Sequence, residues 1–274
     1  MRHPLRALPL LIALCILLAG CGSTTAASSP TTATTGHVTL NVFAAASLTE
    51  SFTQIATQYS QAHPGITVKF NFAGSQLLEQ QLANGAPADI FASADLANMQ
   101  KASDAGLVGS SQVFVKNKLV VIIPVSNPGK IHGLKDLANK GVKIDFAAAT
   151  VPAGKYGRQV IANIANSPGY GPTYQKAVLG NIVSQEDNVK AVVTKVQLGE
   201  ADAGFVYQSD VTDTVAGKLT IIPIPDNFNV VAQYPIAVVK NSAHPNDAQA
   251  FIQYILSPDG QAVLVKFHFI GLNG

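Results

Sequence analysis

The stretch Val38-Thr39-Leu40-Asn41-Val42-Phe43-Ala44-Ala45-Ala46-Ser47-Leu48-Thr49-Glu50 reads as a strand that runs through three alanines into a serine at a helix start. The arrangement returns at Ile66–Phe72, followed by Ala73-Gly74-Ser75. A helix start presents N–H groups without intrahelical partners and a partial positive charge. Small residues let an anion approach those groups, and a serine hydroxyl adds one more donor. Ser47 and Ser75 together therefore suggest one anion held between two helix N-termini. Each serine alone has a plainer use, because Ser47-Leu48-Thr49-Glu50 also fits a capping box in which Ser47 bonds the N3 amide and Glu50 reaches back.

Outward from this stretch, the N-terminus carries a different signal. Arg2 and Arg6 precede an apolar run from Ala7 to Leu18, which reads as a signal peptide over residues 1–20 and is short for a membrane span. Leu18-Ala19-Gly20-Cys21 resembles a bacterial lipobox, which makes Cys21 a lipidated mature N-terminus. Cys15 falls inside the leader, so Cys21 stands alone and no internal disulfide, thiol active site or cysteine metal cluster is available. Residues 21–36 are almost entirely small and polar and predict a flexible tether, with a mean reach of roughly 20 Å. Losing Arg2 and Arg6 with the leader takes the 18 basic side chains to 16, equal to the 16 acidic ones. A formally neutral chain with no long basic run argues against nucleic-acid binding. Any anion bound here must be held by neutral donors.

From His37 onward the chain alternates strand and helix signals, which predicts an α/β architecture with mostly parallel sheets flanked by helices. The expected strands are Val38–Phe43, Thr67–Phe72, Ile90–Ser93, Val113–Val125, Val142–Ala147, Ala203–Tyr207, Leu219–Ile224 and Ala232–Val239. Expected helices are Leu48–Ala62, Ser75–Ala83, Leu96–Ala105, Lys155–Ala165, Asn188–Leu198 and Asn246–Leu256. The long apolar runs at Leu119–Val125 and Ala232–Val239 bracket a middle segment. They suggest one lobe from residues 37–118 plus 233–274, another from 119–232, and a ligand cleft between them.

Within the middle segment, Val151-Pro152-Ala153-Gly154 and Ser184-Gln185-Glu186-Asp187-Asn188-Val189 both look like helix starts. Tyr207 ends the apolar run Ala203–Val206, where a tyrosine is more often packing with a satisfied hydroxyl than a ligand. Enzyme signatures are weak. Ser47 lacks a Gly-x-Ser-x-Gly elbow, and His37, His63, His132, His244 and His268 show no metal-type spacing. Asp89 and Asp95 could form a carboxylate pair, but Asp95 is better placed to cap the next helix and Asp89 to fix a turn.

Phe43–Leu48, Phe72–Ser75, Gly85–Asp95, Val151–Gly154 and Asp187–Asp210, taken in this order, resemble the molybdate-binding proteins of bacterial ABC transporters. The resemblance runs from about Val38 to Gly271. It implies a two-lobed periplasmic-binding-protein fold of type II and a receptor, not an enzyme, that passes molybdate or tungstate to an ABC permease. Its ligand set, carried onto this chain, is the hydroxyl and amide of Ser47 and Ser75, the amides of Ala153 and Val189, and the Tyr207 hydroxyl. No cofactor and no metal other than the oxyanion's own is implied. Lipidated at Cys21, the protein would be a monomer on the outer face of the cell membrane. Gln76 and Ala149-Thr150 depart from the family's usual small hydroxyl and more polar residues, which bears on selectivity at the rim. Alternatives are a receptor of the same fold for another tetrahedral oxyanion such as sulfate, a serine hydrolase using Ser47, and a surface adhesin.

Overall fold

The computed structural model describes residues 37–272; the expected leader, Cys21 and the tether lie outside the described residues. In chain order the first elements are β1 (Val38–Ala45), α1 (Thr49–Ala62), β2 (Ile66–Ala73), α2 (Ser75–Ala83), β3 (Ile90–Ala92), α3 (Leu96–Asp104) and β4 (Gln112–Asn117). There follow β5 (Leu119–Pro124), β6 (Ile144–Ala147), α4 (Pro152–Ala165), α5 (Pro172–Gly180), β7 (Ile182–Glu186), α6 (Val189–Gln197) and β8 (Ala203–Tyr207). The chain ends with α7 (Asp213–Ala216), β9 (Leu219–Pro223), β10 (Ala232–Val238), α8 (Pro245–Leu256) and α9 (Pro258–Lys266).

Two five-stranded sheets result, ordered β2-β1-β3-β10-β4 and β7-β6-β8-β5-β9. In the first, β1 pairs parallel with β2 and β3, while β10 runs antiparallel between β3 and β4. In the second, β6 pairs parallel with β7 and β8, while β5 runs antiparallel between β8 and β9. Each sheet thus has one reversed strand in the fourth place, and the other strands share a direction. The apolar run expected as one strand, Val113–Val125, is two strands in different sheets: β4 ends at Asn117 and β5 starts at Leu119. Within Ser184–Val189, read as a helix start, Ser184–Glu186 are the end of the edge strand β7, and the helix begins at Val189 with Asn188 as its cap. Pro172–Gly180 and Pro258–Lys266 are helices that periodicity had not marked.

Burial explains the layering. Every residue of β3, β5 and β8 is buried, as strands covered on both faces must be. Helix α1 turns Phe52, Ile55, Ala56 and Tyr59 inward, the i, i+3, i+4, i+7 pattern of a helix lying on a sheet. Helix α6 does the same with Val189, Val192, Val193 and Val196. Its close approach to β8 depends on Gly204, where a Cβ would stand 2.7 Å from Val192 and 2.9 Å from Val196. Parallel strands with helices on both faces bring strand C-termini and helix N-termini to one edge of each sheet, which is where a solute site belongs.

Below that edge, sheet two buries a charge cluster. Asp145 on β6 is fully buried and its carboxylate oxygens have no hydrogen-bond partner among the described residues. Burial, and next the Glu186 carboxylate, push its pKa up to about 7. Lys195 pairs with Glu186 at 2.6 Å and partly offsets this. The folded state therefore holds a proton on Asp145 that the unfolded chain releases above a carboxylate's usual value of about 4. Stability should fall as pH rises from about 4 towards 7 and stay lower above it. Asp145→Asn should flatten that fall in a thermal melt series from pH 5 to 8; an unchanged slope would remove Asp145 as its source.

Candidate functional site

Six turns at the ends of parallel strands meet around one cavity. Sheet one contributes Ala45, Ala46 and Ser47 after β1, Ala73, Gly74 and Ser75 after β2, and Ala94 after β3. Sheet two contributes Val151, Pro152 and Ala153 after β6, Asn188 and Val189 after β7, and Tyr207 at the end of β8. Its volume, about 10 Å³, is on the order of what a single water needs, which leaves no room for an extended solute. No lining residue carries a charged side chain.

Ser47, Ser75, Ala153, Val189 and Tyr207, the candidates from sequence, all line this cavity. Ser75 and Val189 are the first residues of α2 and α6, and Ala153 is the second of α4. N–H groups at such positions have no partner inside their helices. Pro152 at the first position of α4 has no N–H to leave unpaired and leads Ala153 into the helix. Asn188 caps α6 by accepting from the Ala191 amide at 3.1 Å, which leaves the Val189 amide outside the cap.

The serines do not cap. Ser47 lies in a single 3-10 turn, Ala46–Leu48, ahead of α1, and no side chain caps either helix. The capping box expected at Ser47–Glu50 is absent because both members are engaged elsewhere. Ser47 Oγ bonds the Tyr234 hydroxyl at 2.9 Å, and Glu50 pairs with Lys190 of α6 at 2.7 Å. Ser75 Oγ accepts from the Ala94 amide at 2.9 Å, so its own proton is left to face elsewhere. The Tyr207 hydroxyl is buried with no hydrogen-bond partner among the described residues. Burial raises its pKa well above the ordinary tyrosine value, which keeps it a donor.

Around the rim, groups from the two sheets touch. Gln76 Nε2 donates to the Asp187 carbonyl at 2.9 Å, giving the unusual residue after Ser75 a partner across the cavity. Lys155 of α4 lies 3.9 Å from Asp95, and Lys190 also lies 3.5 Å from the buried Asp210. Asp210 in turn accepts from the Tyr207 amide at 3.0 Å and fixes the end of β8. Asp95 caps α3 through the Asn98 amide at 2.9 Å, and Asp89 accepts from the Asn41 amide at 2.8 Å and from Ser242. The two aspartates are thus separately occupied in structure. Sequence reading missed Tyr234 and Lys190, whose partners Ser47 and Glu50 lie 187 and 140 residues away, and Asp210, which holds the end of β8.

Comparison with known proteins follows the same lines. A family model described as bacterial extracellular solute-binding protein matches residues 40–270. The molybdate-binding protein ModA of Mycobacterium tuberculosis is 40% identical over 253 residues, 92% of each chain. Among solved structures, the periplasmic molybdate-binding protein of Azotobacter vinelandii matches with a TM-score of 0.72 at 23% identity, covering 84% of this chain and 98% of that one. The sulfate-binding protein SubI of Mycobacterium tuberculosis matches with a TM-score of 0.78 at 16% identity, covering 86% and 88%. Likeness at those identities speaks for the fold alone, a two-lobed periplasmic-binding-protein architecture of type II. By sequence and fold together, the chain belongs to the bacterial extracellular solute-binding protein family, and is a solute receptor for an ABC transporter rather than an enzyme.

Proposed function

We propose that this receptor captures molybdate, and tungstate with it, and delivers the oxyanion to a membrane permease. The observation that carries the reading is a cavity walled by donors without a charged side chain among its lining residues. Three hydroxyls, of Ser47, Ser75 and Tyr207, and four amides, of Ser47, Ser75, Ala153 and Val189, form the ligand set. A buried dianion without a counter-charge is tolerable when its oxygens are fully hydrogen-bonded. At roughly 1.5–3 kcal/mol per donor to a charged group, the set supplies on the order of 10 kcal/mol or more. That leaves binding in the micromolar range or tighter after the cost of association. The 40% identity to a molybdate-binding protein favours molybdate over other tetrahedral dianions.

A thermal-shift panel of molybdate, tungstate, sulfate, phosphate and chromate on the mature domain tests this. At a hundredfold excess over Kd a ligand stabilises by about 2.7 kcal/mol, a shift of several degrees. Molybdate and tungstate should give it; stabilisation by sulfate alone would move the reading to a sulfate receptor. Ser47→Ala and Ser75→Ala should each weaken molybdate by roughly 1.5–3 kcal/mol in titration calorimetry. Parent-like binding in both would remove the serines from the ligand set.

In this reading the lobes, residues 37–118 with 233–274 and residues 119–232, close on the ion, because the donors are divided between them. Gly74 sits where they meet. A Cβ there would run into the Asp187 carbonyl oxygen across the cavity, while its backbone, φ −61° and ψ 138°, is open to any residue. Gly74→Ala should therefore keep the fold and hinder closure. Small-angle scattering should show the parent contracting with molybdate and Gly74→Ala failing to contract; equal contraction would refute the steric role.

The leader and lipobox support a lipid anchor at Cys21 on the extracytoplasmic side of the membrane. Cys21→Ser should release the protein or block its processing. A correctly cleaved Cys21→Ser protein that stays on the membrane would contradict the anchor.

A further inference from the structure

Behind Ser47 lies a buried chain of polar groups that meets the cavity lining at Ser47 and, through the Tyr234 ring, at Tyr207. Ser47 Oγ and the Tyr234 hydroxyl are 2.9 Å apart, and Asn117 Nδ2 stands 3.4 Å from that hydroxyl and 2.8 Å from Ser209 Oγ. Asn117, Tyr234, Ser47 and Ser209 are all at least 97% buried. Asn117 Oδ1 accepts from the Lys118 amide at 2.9 Å, which fixes which way the Asn117 side chain faces. Its NH₂ must then point at Tyr234 and Ser209.

This orientation sets a direction for every proton in the chain. An amide NH₂ can only donate, so the Tyr234 oxygen accepts from Asn117. The Tyr234 proton is then best placed on Ser47, whose oxygen accepts it. Ser47 is left with its own proton free to face the cavity. Tyr234 cannot swing out of this position. A register shift in the β10–β4 pairing falls between Tyr234 and Pro235, a local irregularity of the kind that re-aims side chains beside sites. The ring is also held edge-on by Tyr207 at 5.7 Å and Phe269 at 5.6 Å.

We propose that Tyr234 and Asn117 are positioning residues that hold the Ser47 hydroxyl as a one-way donor into the cavity and so bar oxyanions that carry a proton. The inference rests on the reading of the cavity as an oxyanion site and adds a reason for selectivity that size does not supply. An ion with its own O–H needs an acceptor, and Ser47 could offer one only by turning round. The relay forbids that turn. Ser75 is set the same way by the Ala94 amide, so both serines face the ion with protons.

The experiment is a double-mutant cycle of Tyr234→Phe with Ser47→Ala, read by calorimetry with molybdate and with arsenate. Arsenate is a tetrahedral dianion near neutral pH that keeps a proton. Tyr234→Phe should weaken molybdate about three- to tenfold and narrow its preference over arsenate. On the Ser47→Ala background the same substitution should change neither quantity, since Tyr234 acts through Ser47. Asn117→Leu supplies a second variant, near-isosteric, that offers the Tyr234 oxygen no donor. It frees the Tyr234 and Ser47 hydroxyls to turn round and should narrow the preference for molybdate over arsenate as Tyr234→Phe does. An unchanged molybdate-to-arsenate ratio in Tyr234→Phe, or an equal loss with and without Ser47, overturns the relay. A parent that binds no oxyanion instead overturns the functional reading, and the relay falls with it.

Discussion

Unpaired N–H groups at helix starts, brought from two sheets onto one small cavity, are the constraint on which the rest of this structure depends. A single helix start is a weak anion site, since its charge is partial and water competes for it. Several of them around a space with no charged side chain in its lining are a different object, because their partial charges and donors add at one place. The sheet topology makes this convergence possible. Both sheets end their parallel strands at the cavity, and the residues there are small enough for main chain to approach main chain. Gly74, Ala94 and Ala153 serve by what they lack.

Around the cavity the structure keeps ordinary charges at arm's length. Lys190 stands beside Val189, yet it is spent on Glu50 and Asp210. Lys155 faces Asp95. The pairs of Lys190 with Glu50 and of Lys155 with Asp95 join the two sheets at the rim and leave the cavity lining to hydroxyls and amides. Of these, the partly exposed Lys190–Glu50 pair contributes little to stability by itself, about 0–1 kcal/mol, while Asp95 and Asp210 are buried. The greater effect of the pairs is to fix how the rims meet and to keep lysines from offering an indiscriminate charge.

Much of this was legible in the sequence because the site is built from local signals. Strand, small residues, then a hydroxyl or a proline at a helix start is a pattern that survives without tertiary information. It marked Ser47 and Ser75 directly, while Ala153, Val189 and Tyr207 came as ligand candidates only through the family resemblance; all five line the cavity. Other features depend on partners remote in sequence. Val113–Val125 reads as one strand only if Lys116-Asn117-Lys118 is passed over, and that polar break is where the chain crosses from one sheet to the other. Ile182–Glu186 reads Ile-Val-Ser-Gln-Glu, and its three polar residues run straight into the Asp187-Asn188 that starts α6, so the end of the edge strand reads as part of a helix start. Ser47 looked like a cap because its actual partner, Tyr234, is 187 residues away.

The central claim is that an intact tetrahedral oxyanion is held by hydrogen bonds alone, with no protein atom bound to its central metal. X-ray absorption at the molybdenum edge, on protein loaded with molybdate and freed of excess by dialysis, tests this most directly. The account predicts retained molybdenum with a first shell of oxygens only, unchanged in number and distance from free molybdate. Expansion of that shell, a nitrogen or sulfur neighbour, or loss of molybdenum on dialysis at concentrations well above micromolar would contradict it.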